Sequence, residues 1–213
     1  MSRLRVALVD YGAGNLVSIG QALEVVGAEV RLVRDGDELR AAEALVVPGV
    51  GAAAPAMARL AERGLVEPIR RWIEDRRPYL GICLGLQLLF EESDEDGART
   101  FGVLPGRTVE LVNAPTLPHI GWNQVVRRRE HPLFAGIAPA ADFYFVHSYA
   151  GRPAPGADTV ALADTVHGEA FVSAIARGPL LGVQFHPERS GRDGLRLIAN
   201  FAALARDDAL EAA

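Results

Sequence analysis

The sequence predicts an α/β fold: an open, mostly parallel twisted sheet flanked by helices, with an additional mixed or antiparallel β region in the C-terminal half. Three observations carry this expectation. Up to Gly97, short apolar runs alternate with stretches of helical periodicity, the pattern of β-α-β units. After Gly97, strand-like runs follow one another with little helix between them. The chain has 213 residues and is 49% hydrophobic, enough for one sizeable core and short for two, so residues 1–213 read as a single domain.

The elements follow in order. Strand-like runs lie at Leu4 to Val9, Glu29 to Val33, Ala44 to Val47 and Tyr79 to Ile82. Between the first two, Leu16, Ile19, Leu23 and Val26 recur at helical spacing, with Asn15 placed to cap the start and Gly27 to end it. Leu65, Ile69, Trp72 and Ile73 mark another helix, whose Pro68 falls in the tolerant first turn. The second half offers runs around Thr108 to Val112, Gln124 to Val126, Phe143 to Val146, Thr159 to Leu162, Ala170 to Ala174 and Leu181 to Gln184. Leu195, Ile198, Ala199 and Ala202 indicate a final helix, and Asp207 to Ala213 is expected to fray.

Composition excludes several classes of function. The net charge of -5 leaves no basic stripe for a nucleic-acid backbone. Arg127-Arg128-Arg129 runs straight into Glu130 and reads as a solvated loop or strand end, and the acidic run Glu91 to Asp96 reads as a helix end and loop. No window approaches the roughly 18 apolar residues of a membrane span, and the apolar stretch after Arg5 is too short for a signal peptide. One cysteine forms no internal disulfide, so a cytoplasmic protein with a reduced thiol is expected. Five scattered histidines and that lone cysteine show no zinc-ligand spacing; neither metal nor cofactor is expected.

The cysteine sits in Gly81-Ile82-Cys83-Leu84-Gly85, where an apolar run ends and a helix-like run begins. Flanking glycines suit a sharp strand-to-helix turn that presents a nucleophile, and a helix N-terminus stabilises a thiolate. A free cysteine is also often a small buried hydrophobe. Far along the chain, Gly182-Val183-Gln184-Phe185-His186-Pro187-Glu188 offers a histidine and a carboxylate two residues apart. In extended chain both project to one side, so Glu188 can hold the tautomer of His186 while its other nitrogen faces Cys83.

Glycine loops have competing readings. Gly49-Val50-Gly51-Ala52-Ala53-Ala54 matches a dinucleotide fingerprint, but it follows the third strand, and the first turn has Val17 where that fingerprint wants glycine. The alternatives are a plain tight turn, or backbone amides offered to an oxyanion beside the amide of Leu84. His131 and His167 precede a proline and a glycine and read as turn residues, whereas His119 and His147 lie in aromatic and polar segments that read as pocket-forming.

Taken together, Pro48-Gly49-Val50-Gly51, Gly81-Ile82-Cys83-Leu84-Gly85-Leu86-Gln87 and Phe185-His186-Pro187-Glu188 resemble the class I glutamine amidotransferases. Val9 to Leu16, Pro118 to Asn123 and Tyr144 to Tyr149 look like the glutaminase subunits of imidazole glycerol phosphate synthases, of histidine biosynthesis. The resemblance implies Cys83 as nucleophile, His186 as general base and acid, and Glu188 as its orienting partner. It implies an oxyanion hole from the amides of Val50 or Gly51 and Leu84, and a glutamine pocket bordered by Gly51, Gln87, His147 and Ser148. The implied reaction hydrolyses L-glutamine through a γ-glutamyl thioester.

The implied partner is a cyclase subunit with a (β/α)8 barrel, forming a heterodimer. It takes the ammonia and converts N'-phosphoribulosyl-formimino aminoimidazole carboxamide ribonucleotide to imidazole glycerol phosphate and aminoimidazole carboxamide ribonucleotide. The expected interface comprises Asn15, His119, Trp122, Asn123 and Arg189, and glutaminase activity is expected to wait for the liganded cyclase. Ala53-Ala54-Pro55 departs from the family's usual aromatic, glycine and acidic residues and is expected to stiffen the oxyanion loop. The competing functions are a glutaminase of another synthase, a catalytically silent binding protein of the same fold, and a cysteine peptidase.

Overall fold

The computed structural model describes residues 3–206; the tail from Asp207 to Ala213 lies outside them. Strand β1 (Arg5–Val9) is followed by helix α1 (Leu16–Val25), β2 (Glu29–Val33), β3 (Ala44–Val47), α2 (Ala53–Glu62), α3 (Val66–Glu74), β4 (Tyr79–Ile82) and the single-turn α4 (Leu84–Gln87). The later half supplies β5 (Glu92–Ser93), β6 (Gly106–Glu110), β7 (His119–Arg127), β8 (Ala141–His147), β9 (Tyr149–Pro153), β10 (Ala161–His167), β11 (Glu169–Arg177), β12 (Leu180–Val183) and α5 (Gly191–Arg206).

One sheet runs in the order β2-β1-β3-β4-β12-β11-β10-β7-β8. From β2 to β12 neighbours are parallel, and from β12 to β8 antiparallel. The last strand is thus inserted beside β4, with Val183 opposite Ile82. That register delivers the residues after Val183 to the elbow after Ile82, which is how positions a hundred residues apart meet. A smaller sheet, β5-β6-β9, packs alongside.

The period of two along β1 divides its residues between two cores. Val6 and Leu8 pack with Ile19 and Leu23 of α1 and Leu197 and Phe201 of α5. Ala7 and Val9 face the other way, onto Leu60 of α2 and Ile69 and Trp72 of α3. Burial on both faces explains why β3 is apolar throughout rather than alternating. Each fully buried leucine or isoleucine contributes roughly 1.5–3 kcal/mol. Helix α1 starts where expected, with Asn15 Oδ1 accepting from the Ser18 amide, and ends as the Gly27 and Ala28 amides return to the carbonyls of Glu24 and Leu23.

Three local expectations need correction. Ala53-Ala54-Pro55 is the first turn of α2, where proline is tolerated because its nitrogen has no intrahelical acceptor, and Asp96 Oδ2 caps the Ala54 amide at 2.6 Å. The acidic run continues no helix: α4 stops at Gln87, and Glu92–Ser93 is a strand. Thr159 and Val160 belong to a short 3-10 turn before β10. Arg127 does close a strand, with Arg127–Glu130 and Arg128–Asp164 ion pairs beyond it. Among the described residues no helix is long and apolar enough to cross a membrane.

Candidate active site

Cys83 occupies the elbow between β4 and α4 at φ +54 and ψ -110. For a residue with a β-carbon such a backbone costs about 1–3 kcal/mol, so its surroundings must hold it. They do so through the Cys83 amide, which donates to the Val183 carbonyl at 2.8 Å, and the Cys83 carbonyl, which accepts from Leu86 and Gln87. The flanking glycines are required by contact. A β-carbon on Gly81 would stand 2.5 Å from the Gly85 carbonyl oxygen, and one on Gly85 would overlap the Val47 carbonyl. Helix α4 is one turn only, too short for the anticipated dipole to act in full.

His186 Nδ1 lies 2.9 Å from Glu188 Oε1, with both side chains almost wholly buried. The pairing is made by the 3-10 turn Pro187–Arg189 rather than by extended chain. The Ser190 hydroxyl locks that turn by donating to the His186 carbonyl and accepting from the Tyr144 amide. Among the described residues His186 Nε2 is buried with no hydrogen-bond partner. Burial works to lower the pKa of His186, but the neighbouring Cys83 and Glu188 outweigh it and raise it to about 10. An imidazolium beside a thiol favours the thiolate.

The loop facing Cys83 is closed. The Leu84 amide donates to the Gly49 carbonyl at 3.4 Å, so that donor is already used. In a trans peptide the carbonyl and the following N–H point in opposite directions, which turns the Val50 amide away from Leu84. Gly51 follows at φ +86, and a β-carbon on Gly49 would overlap the Tyr11 hydroxyl. Tyr11 itself is buried and donates to the Pro48 carbonyl at 2.9 Å, holding the base of the loop.

Gln87 and His147 are both buried beside this elbow. The side-chain amide of Gln87 donates to the Tyr149 carbonyl at 2.8 Å and to Gln184 Oε1 at 3.0 Å. Ser148 stands where the chain leaves the large sheet for the small one, and its carbonyl accepts from the Leu111 amide. The residues expected at a partner interface separate. Asn15, Trp122 and Arg189 are exposed, and the Arg189 guanidinium lies 4.0 Å from the centroid of the Tyr144 ring, which Trp122 meets edge-on. His119 is 3% exposed and turns inward, so it is no surface residue as expected; it stacks on His167 and bonds His147 at 3.1 Å. Burial, then His167, lowers its pKa to about 4.

Two residues at the site were not anticipated. Tyr11 braces the loop, and Gln184 Nε2 donates to Cys83 Sγ at 3.5 Å. Its place two residues before His186, a spacing that in extended chain puts two side chains on one side, would have pointed to Gln184.

Residues 7–204 match the family model of glutamine amidotransferase class-I. The chain is 46% identical to an imidazole glycerol phosphate synthase subunit HisH from Symbiobacterium thermophilum, over 95% of each. It is 47% identical to the subunit of the same name from Moorella thermoacetica, over 94% of this chain and 95% of that one. Its fold is similar to a solved structure of PurLQS from Thermotoga maritima, with a TM-score of 0.74, 19% identity and coverage of 94% and 98%. The fold is accordingly shared well beyond close relatives, and the chain belongs to the class-I glutamine amidotransferase family.

Proposed function

We propose that this chain is the glutaminase subunit of an imidazole glycerol phosphate synthase, acting in the cytoplasm and supplying ammonia to a (β/α)8 cyclase subunit. The observation that carries the chemistry is the convergence of the Cys83 elbow with the buried His186–Glu188 pair. The thiolate attacks the glutamine carboxamide carbon. His186 donates its proton to the departing nitrogen, leaving a γ-glutamyl thioester, then takes a proton from the water that releases glutamate. Glu188 keeps the imidazole in the orientation that serves both transfers. Gly51, Gln87, His147 and Ser148 border the substrate.

The closed loop gives the regulation. While the Gly49 carbonyl holds the Leu84 amide, no pair of donors faces a developing oxyanion. Turning the Gly49–Val50 peptide over removes that carbonyl and brings the Val50 amide beside Leu84's. Binding of the liganded cyclase at the exposed Asn15, Trp122 and Arg189 edge favours the turned form. The test is glutamine hydrolysis by the chain alone, with cyclase, and with cyclase and its nucleotide substrate. Large activation only in the last case is expected; a fully active isolated chain would remove the gating, and no hydrolysis under any condition would remove the assignment.

A further inference from the structure

Gln184 is completely buried, directly after the strand that pairs with β4, and its side-chain nitrogen is aimed at the sulfur of the elbow. Which end of a glutamine amide faces a sulfur atom is decided by its hydrogen bonds. Here they decide it. The Tyr149 carbonyl only accepts, so the group of Gln87 that approaches it is the NH2. The other hydrogen of that NH2 goes to Gln184 Oε1, which leaves Gln184 Nε2 as the end that meets Cys83 Sγ.

The same carbonyl orders a second branch. It accepts from His147 Nδ1 at 2.8 Å, making His147 Nε2 an acceptor for His119 Nδ1. His119 Nε2 in turn accepts from Asn123 Nδ2, whose other hydrogen goes to the Val166 carbonyl. Both imidazoles must be neutral for this pattern, and burial keeps them so. Each of these hydrogen bonds from Asn123 to Gln184 therefore has one sense.

We propose that Gln184 is a positioning residue for the reaction, its N–H fixed toward Cys83 Sγ by the Tyr149–Gln87 relay so that it stabilises the thiolate and aims the sulfur. The inference rests on the glutaminase reading above. It adds a neutral donor to the sulfur, besides the catalytic histidine. The remaining titratable groups around the sulfur are His186, with Glu188 behind it, and Tyr11 from the loop after β1; His147, at the end of β8, faces His186. None of them replaces an uncharged donor locked in one orientation.

The test is made on the isolated chain. Cys83 is the only cysteine, so thiolate ultraviolet absorbance against pH, taken as a difference from Cys83→Ala, reports this one group. Gln184→Met keeps the volume and removes the donor. Its absorbance midpoint is expected to rise by about one pH unit, a tenfold change in the thiol–thiolate ratio. Gln184→Glu is expected to rise further, and Gln87→Met, which frees Gln184 to turn over, to rise less. Adding Gln87→Met to Gln184→Met should change nothing more, because the relay has one end point. In the cyclase complex kcat should fall with KM unchanged. Midpoints coinciding with wild type in folded Gln184→Met and Gln184→Glu would overturn the inference. The glutaminase reading fails separately, by absence of hydrolysis in the wild-type complex.

Discussion

Replacing Glu188 by glutamine isolates the charge behind the histidine. The carboxylate is fully buried and its Oε1 holds His186 Nδ1 at 2.9 Å. Unit charges about 4 Å apart at an effective dielectric constant near 20 attract by about 4 kcal/mol. A neutral amide retains a hydrogen bond of about 1 kcal/mol, so the imidazolium form loses roughly 3 kcal/mol. That corresponds to about a hundredfold in rate and about two pH units in the histidine. The assay is the pH profile of kcat/KM for glutamine in the activated complex. Wild-type His186 stays protonated up to about pH 10. The alkaline limb of Glu188→Gln should move to lower pH while kcat falls about a hundredfold. The sign carries over to stability. A raised histidine pKa stabilises the fold below the ordinary value of 6.5 and loses that contribution as pH rises toward 10. Glu188→Gln should flatten this alkaline loss. An unmoved limb with near-wild-type kcat would refute the reasoning.

Further outcomes are expected at neighbouring positions. Gly49→Ala would drive its β-carbon onto the Tyr11 hydroxyl and to 2.8 Å from Leu84 Cβ, so a folded variant should lose glutaminase activity even with liganded cyclase; retained activation would contradict the loop assignment. Gly85→Ala would meet the Val47 carbonyl and should lower the thermal midpoint by several degrees, read by calorimetry. Burial lowers the pKa of His119 to about 4 and of His147 to about 3, so unfolding releases groups that bind protons more readily. The contribution of these two groups should therefore be full above about pH 6.5 and fall on acidification by about 1.4 kcal/mol per pH unit for each group, and His147→Phe should reduce that slope in urea titrations. Trp122 is 57% exposed and Ile120 61%; Trp122→Ala should weaken cyclase binding at least about tenfold while leaving the isolated chain's melting unchanged, measured by calorimetric titration.

What was readable in the chain follows what is local. Strands β2, β3 and β4 have the expected bounds: β3 and β4 are apolar runs that begin after Glu43 and Pro78, and β2 alternates charged and apolar residues between Gly27 and Arg34. Asn15 and Gly27 bracket α1 because caps are written in adjacent residues. Helix α2 was hidden for the opposite reason: Ala52 offers no capping side chain, and the cap comes from Asp96, across the fold. Strand β9, which carries Gly151 and Pro153, gains its pairing from β6 rather than from its own pattern. At the site, the elbow and the His-x-Glu pair were legible from spacing. The peptide orientation at Gly49 and the inward turn of His119 depend on hydrogen bonds between distant segments, which no local pattern encodes.

The central claim is that Cys83 hydrolyses glutamine for a partner that switches it on. The most direct measurement is glutamate release by the wild-type chain and by Cys83→Ala, each with cyclase and its nucleotide substrate. The account predicts strong hydrolysis by the wild-type complex, little by the wild-type chain alone, and none above background by Cys83→Ala in either state. Hydrolysis that persists in Cys83→Ala, or a wild-type complex that releases no glutamate, would contradict it.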